Sequence, residues 1–277
     1  MMKFKPEIAL IMRSDDIIKD WGLTRYTVNT SFGPVDRCFF GKIYDIEVML
    51  VYGRFNGQKV PSDMINYQQT MEAILNMGVK KVIGTFVVGG IKENSDIGDV
   101  YIIDDIVGMG NYHIYVNQLS SFHNAEMLNP ICQELTEQLR RVAKLMPFKV
   151  NTHAIYVCFH GWPRIETKAE LAFYNKMGWD VVGQTCDPEA TVARLLGLCY
   201  AALAVQIDDP QYREKNIQSI NKSIKNDNTM NITKCRKRTT EMVLKFLQTY
   251  EKCNCTSCCQ INRSNTSFLE FPESFYE

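Results

Sequence analysis

The chain has 277 residues with 31 basic and 31 acidic side chains, so its formal net charge at pH 7 is +0. This balance excludes a global electrostatic footprint for nucleic acid or an anionic membrane, and an apolar fraction of 45% excludes a disordered chain. No run reaches the roughly 18 apolar residues that cross a bilayer, so the sequence predicts a soluble protein with the cytoplasm as its expected compartment.

Short apolar runs predict strands, and several are apolar at successive positions, as in a sheet that is covered on both faces. They lie at 7–12, 47–53, 81–88, 100–107, 153–159, 179–183 and 199–207. Helical patterns are predicted at 66–78, 129–146 and 187–197, with a closing amphipathic helix at 232–252 after a polar loop at 213–231. The alternation predicts an α/β fold with a central, largely parallel or mixed sheet.

Capping residues place the ends of two predicted helices. Asn129 and Pro130 are expected as the N-cap and first residue of one helix. Asp187 is the expected N-cap of the next, which Pro188 begins and Gly197 ends.

The stretch 85–104 reads as a buried strand, a turn at Gly89 and Gly90, an acidic loop and a second buried strand. A turn that needs two glycines allows another group to approach the main chain closely. Crevices at strand ends are where α/β proteins bind ligands, so this stretch is a candidate site. A tight connection between two strands is the alternative interpretation.

Four of the ten cysteines crowd a short segment near the end of the sequence, CNCTSCC: Cys253, Cys255, Cys258 and Cys259. Neighbouring thiols bind Zn²⁺ or form disulfides, but no histidine is nearby and no second cysteine pair completes the usual spacing. A metal site, a disulfide and a solvated reduced tail remain open, with the solvated tail favoured. We therefore expect a single domain at 1–252 and a flexible, Cys-rich tail at 253–277.

The order of several segments resembles the trimeric nucleoside phosphorylases, and within them the S-methyl-5′-thioadenosine phosphorylases. The resemblance covers roughly residues 6–210 and is carried by FGPVDRCFFGKI, PSDMINYQ, GTFVVGGIKENSDIGDVYIIDD, GWPRIETKAEL and MGWDVVGQTCDPEATVARLLGLCYAALAV. It implies a three-layer α/β/α fold with a central mixed sheet, and a homotrimer. It also implies a purine nucleoside and inorganic phosphate as substrates. We expect no cofactor, no metal at this site, and no nucleic-acid or membrane partner.

The resemblance also assigns roles to individual residues. Asp208 aligns with the aspartate that addresses N7 of adenine and is the expected catalytic residue. Phosphate is expected at Ser14, Arg54 and Thr185, and the nucleoside at Phe86, Val87, Gln184 and Asp208. In such an enzyme the glycosidic bond breaks through an oxocarbenium-like state, and a carboxylic acid near the base can protonate the departing purine.

The expected phosphate site departs from the family pattern. Met12–Asp15 stands where the family has a glycine-rich turn, which removes easy backbone approach to an anion and adds a repulsive carboxylate at Asp15. Arg13 is a candidate replacement cation, and Pro210 stands at the family's second purine-site aspartate. Besides a phosphorylase, two functions therefore stay open: a homologue that binds nucleosides or assembles without catalysis, and a nucleosidase that uses water.

Overall fold

A computed structural model describes residues 4–13, 21–53, 61–110, 125–159, 164–208, 227–252 and 255. The described strands are β1 Ile8–Met12, β2 Thr24–Val28, β3 Val35–Ile43, β4 Ile46–Tyr52, β5 Lys81–Gly90, β6 Val100–Gly108, β7 Val150–Cys158, β8 Val181–Gly183 and β9 Cys199–Asp208. The described helices are α1 Tyr67–Asn76, α2 Gln133–Ala143, α3 Lys168–Lys176, α4 Cys186–Leu195 and α5 Asp227–Gln248. Among these helices, none combines the length and the apolar character that a membrane crossing requires.

The strands form one mixed sheet in the order β2-β3-β4-β1-β5-β8-β7-β6-β9, and β9 also pairs with β5. Because of that additional pairing, β5, β8, β7, β6 and β9 close into a ring. Strand β1 runs parallel to β4 and β5, and β5 runs parallel to β9. The carboxyl ends of these four strands therefore share one edge of the sheet, where α/β proteins commonly bind ligands.

Two hydrophobic cores lie on opposite faces of the sheet, as the alternation of side chains along β1 shows. Ala9 and Ile11 belong to one core, and Ile8, Leu10 and Met12 to the other. Helices α1 and α4 contribute to the first core, and helices α2 and α5 to the second. This layering confirms the predicted α/β/α architecture with a central mixed sheet.

Every predicted strand is present, but the sequence analysis missed β2, β3 and α3. Four of the five residues of β2 are exposed, and β3 alternates buried with partly exposed positions, so neither has a continuous apolar run. Helix α3 buries only Tyr174, which leaves little hydrophobic periodicity. Its capping box, Thr167 with Glu170, is the local signal that marks its start.

Two predicted helix starts are displaced. Helix α2 begins after Cys132, not at Asn129 and Pro130, and the Cys132 N–H donates to the Tyr200 carbonyl oxygen at 2.7 Å. Helix α5 begins at Asp227, so it includes the last residues of the predicted polar loop. In α4, Asp187 has extended backbone angles (φ −114°, ψ 128°) and its Oδ1 accepts a hydrogen bond from Thr191 Oγ1 at 2.6 Å. Its peptide bond with Pro188 is cis.

Gly89 and Gly90 do not form the predicted turn, because they lie in β5 and pair with Val182 and Val181 of β8. A Cβ atom on Gly90 would lie 2.3 Å from Nε2 of the fully buried Gln206. The Gln206 Oε1 accepts a hydrogen bond from the Tyr101 hydroxyl at 2.8 Å, which holds the amide in place. The two glycines predicted that another group would approach the main chain closely. In the structure, that group is the Gln206 side chain of this protein.

Replacing Gly90 with alanine is expected to destabilise the fold by about 1–3 kcal/mol, because the new methyl group overlaps the Gln206 amide. The free energy of urea unfolding measures this loss. In a Gln206→Ala background the same substitution should have little further effect, since the overlapping atoms are gone. An equal loss in both backgrounds would contradict this explanation.

Candidate functional site

Arg13 follows β1 directly and turns inward, with only 7% of its surface exposed. Its Nη1 donates to the Thr85 carbonyl oxygen at 2.6 Å, and its Nη2 donates to Glu189 Oε2 at 2.7 Å. The guanidinium also lies over the Phe86 ring, 4.7 Å from the centroid. Arg13 was the candidate cation for phosphate. These contacts hold its guanidinium in the interior of the protein.

Glu189 is 2% exposed, and its second carboxylate oxygen accepts a hydrogen bond from the Tyr200 hydroxyl at 2.7 Å. Burial alone lowers the pKa of Arg13, but attraction to Glu189, with smaller contributions from Tyr67 and Tyr200, outweighs it and raises that pKa. Arg13 therefore stays charged. Gly84 makes room for the group, because a Cβ there would lie 2.4 Å from the Tyr200 hydroxyl.

Tyr156 connects two of the expected site residues. Its ring packs edge-on against Phe86 at 5.9 Å between centroids, and its hydroxyl accepts a hydrogen bond from the Thr185 N–H at 3.3 Å. A Cβ on Gly183 would lie 2.1 Å from the Tyr156 hydroxyl, so only glycine fits the chain at that point. The structure thus brings Phe86 and Thr185 together around one buried phenol.

Gln184 contacts a different wall of this region. Its Oε1 accepts a hydrogen bond from Ser62 Oγ at 2.7 Å, and the Ser62 carbonyl oxygen accepts one from the Tyr67 hydroxyl at 2.9 Å. Tyr67 begins α1 and is close enough to Arg13 to affect its pKa. Residues 62–67 and 184–185 therefore border the same region as Arg13.

Two buried thiols near this region are not activated. Burial raises the pKa of Cys158 and of Cys186 well above the ordinary thiol value. The Cys158 thiol donates to the Asp187 carbonyl oxygen. Neither group is therefore a thiolate nucleophile at neutral pH.

Phe86 and Val87 lie on opposite faces of the sheet. Phe86 belongs to the core beneath α1 and α4, whereas Val87 packs against the core beneath α2 and α5. A cavity of about 10 Å³ adjoins both residues between β1, β5 and α5, which is room for about one water molecule. This cavity is too small for a phosphate ion.

Asp208 is the last residue of β9, opposite Gly89, whereas Phe86 lies opposite Ala204 of the same strand. The offset between Ala204 and Asp208 corresponds to roughly 13 Å along the strand. Asp208 therefore lies nearer the carboxyl edge of the sheet than the group around Tyr156. Ser14 and Arg54 lie outside the described residues.

A larger cavity of about 460 Å³ opens elsewhere in the described structure. Its lining includes Asp104, Asp105, Glu137 and Arg140, and it shares no residue with the expected site. Arg140 and His153 both contact the Asp104 carboxylate, so the charges at this surface are largely engaged with one another. Its size alone suits a small molecule, but its lining has none of the expected contacts.

Comparison with known proteins decides the family. The model of the Phosphorylase superfamily matches residues 7–248, which includes all nine strands and all five helices described above. The chain belongs to this superfamily.

Individual relatives in this superfamily are also similar. The chain is 34% identical over 186 residues to a probable S-methyl-5′-thioinosine phosphorylase of Thermodesulfovibrio yellowstonii, covering 65% of this chain and 68% of that protein. It is 26% identical over 237 residues to the S-methyl-5′-thioadenosine phosphorylase of Hyperthermus butylicus, covering 84% and 85%. A mutant adenosine/methylthioadenosine phosphorylase of Schistosoma mansoni, solved with methylthioadenosine, superposes with a TM-score of 0.79 at 19% identity over 94% and 96% of the two chains.

The sequence analysis missed two central members of this site, Glu189 and Tyr156. Glu189 lies in the first turn of the predicted helix, where a negative charge is favourable, and nothing local shows that it meets Arg13, which is 176 positions away. In the sequence, Tyr156 is only one of several apolar residues in a predicted buried strand. The sequence signal for this contact was Gly183, because a Cβ at that position would overlap the Tyr156 hydroxyl.

We expect Glu189→Gln to destabilise the protein by roughly 3–5 kcal/mol, because it leaves the buried Arg13 charge uncompensated. Urea unfolding at neutral pH measures the loss. The matched control is Asp36→Asn, which removes the partner of Arg25 where the two side chains are 57% and 42% exposed, and should change stability by at most about 1 kcal/mol. Equal effects of the two substitutions would show that burial does not decide this interaction.

Proposed function

We propose that this protein is a purine nucleoside phosphorylase that acts on 5′-methylthioadenosine or a related purine nucleoside. In the reaction, a phosphate oxygen forms a bond to C1′ of the sugar as the bond from C1′ to the purine breaks. The purine takes the bonding electrons and gains a proton, so the products are the free base and a pentose 1-phosphate. Inorganic phosphate is the co-substrate, and no cofactor is required.

One observation carries the proposal: the superfamily model spans 7–248, and within that span Phe86, Gln184 and Thr185 gather near the edge where parallel strands end. The relatives named above are phosphorylases of methylthio-nucleosides, which supports the same class of substrate. Crevices at such an edge suit a ligand with a polar and an apolar end.

Each expected residue has a role in this proposal. Asp208 donates the proton, or a hydrogen bond, to the imidazole side of the departing purine. Phosphate is held at Ser14, Arg54 and Thr185, where hydroxyls and a guanidinium form charge-assisted hydrogen bonds. The nucleoside is held at Phe86, Val87 and Gln184, so that the sugar carbon faces the phosphate.

A second candidate function is nucleoside binding without turnover. Arg13 supports it, because its guanidinium is engaged by Glu189 and by the Thr85 carbonyl oxygen. The Thr85 hydroxyl is also engaged, since it donates to the Ile11 carbonyl oxygen at 3.2 Å. Two polar groups near the expected phosphate site thus contact the protein itself.

The remaining features of the proposal follow the family. We infer a homotrimer in the cytoplasm, with residues 1–252 as the catalytic domain and 253–277, apart from the buried Cys255, as a tail. A purine nucleoside and phosphate are its partners, and nucleic acid is not.

Adenine release from methylthioadenosine, measured with and without inorganic phosphate, tests the proposal. We expect release only with phosphate, together with pentose 1-phosphate in equal amount. Release without phosphate identifies a nucleosidase. A nucleoside-induced rise in melting temperature without release identifies the binding module, and absence of both release and binding rejects the site.

Asp208→Asn is expected to lower kcat by about 10²–10⁴-fold and to change KM little, because the amide cannot protonate the leaving base. The matched control is Asp45→Asn, an exposed turn residue between β3 and β4, which should leave both constants unchanged. Steady-state kinetics of the two variants tests the role of Asp208. Wild-type kcat in Asp208→Asn would remove this residue from the mechanism.

A further inference from the structure

Three cysteines from distant parts of the chain converge in one core: Cys132, Cys199 and Cys255. Cys132 precedes α2, Cys199 begins β9, and Cys255 follows α5. All three are buried, and their sulfur atoms lie within 4.8 Å of one another. The burial of Cys255 differs from the solvated tail that the sequence favoured.

The spacing of the sulfur atoms suits a metal ion. In a tetrahedral zinc site with bonds of about 2.3 Å, ligand sulfur atoms are about 3.8 Å apart. The Cys132 and Cys255 sulfur atoms are 3.8 Å apart, within the same cluster. One pair thus already has the separation of two zinc ligands, and the third sulfur lies within 4.8 Å of both.

The chain after α5 is held against α2 by contacts other than the thiols. Gln138 Nε2 donates to the Glu251 carbonyl oxygen at 3.0 Å, and the Glu251 N–H donates to Gln138 Oε1 at 3.1 Å. Arg141 forms an ion pair with the Glu251 carboxylate at 2.9 Å. The chain is thus fixed to α2 at Glu251, four residues before Cys255.

The net charge of the cluster favours a divalent over a monovalent ion. Cys132 stands at the N-terminus of α2, where the helix dipole stabilises negative charge. Lys81 lies opposite Cys199 on the neighbouring strand, and its Nζ donates to the Tyr250 hydroxyl at 2.9 Å. Three thiolates and one Zn²⁺ leave a single net negative charge, whereas three thiolates and one Cu⁺ leave two, and the smaller net charge is less unfavourable in this apolar core.

We propose that Cys132, Cys199 and Cys255 bind one Zn²⁺ ion. On binding, each thiol would release its proton and form one sulfur–zinc bond, and a water molecule would fill the fourth position, with no change of oxidation state. The ion joins the starts of α2 and β9 to the chain that follows α5. Asp208 is at the other end of β9, roughly 30 Å away along the strand, so the role of the metal is structural.

Zinc titration of the full-length, fully reduced protein against a chromophoric chelator tests the proposal. We expect one tightly bound Zn²⁺ per chain, and a thiolate-to-metal absorbance band when Cd²⁺ replaces it. Cys132→Ser and Cys199→Ser should each weaken binding by more than about 100-fold. The matched control is Cys235→Ser, which alters a buried thiol of the same core outside the cluster and should leave affinity unchanged.

Wild-type affinity in both the Cys132→Ser and Cys199→Ser variants would place the metal on the crowded tail cysteines and overturn the proposal. Absence of stoichiometric binding, or a disulfide between two of the three residues in freshly purified protein, would overturn it as well. A measurement on the wild-type chain covers the case in which these variants do not fold. Bound Zn²⁺ should protect Cys132 and Cys199 from alkylation, as read by peptide mass spectrometry, and unprotected thiols in zinc-loaded protein would reject the site.

Discussion

The buried ion pair between Arg13 and Glu189 joins the end of β1 to α4, and through Thr85 and Tyr200 it reaches β5 and β9. Removing two charges from water is unfavourable by several kcal/mol per ion unless each finds its partner and its hydrogen bonds. Here the carboxylate accepts from both Arg13 and Tyr200, and the guanidinium donates to it and to a backbone carbonyl, while Arg13 Nε has no hydrogen-bond partner among the described residues. Through these contacts one buried group of side chains links the end of β1, β5, β9 and α4.

The same pair shapes the chemistry available at the carboxyl edge of the sheet. A phosphate site needs donors that are not already used, and Arg13 is held inward by strong contacts at 2.6 and 2.7 Å. If phosphate binds, Ser14, Arg54 and Thr185 must carry most of the interaction. The superfamily fold is thus kept while Arg13 and the Thr85 hydroxyl contact the protein itself.

Strand β9 connects two separate features. Its last residue is Asp208, the proposed acid, and its first is Cys199, a member of the proposed zinc site. The strand between them is almost wholly buried, and it pairs in parallel with β5 over most of its length. This buried strand therefore sets the separation between the proposed zinc site and the proposed acid.

The sequence pattern over a few residues determined much of this protein. Periodicity predicted the buried strands, the closing helix and the α/β class, and capping predicted that α4 ends before Gly197. The pattern missed β2 and β3, whose faces are partly exposed, and it took the glycines of β5 for a turn. Only the tertiary structure decided that Arg13 meets Glu189 and that Cys255 meets Cys132. Such contacts depend on how distant segments pack, and no local spacing records which buried charges and thiols will become neighbours.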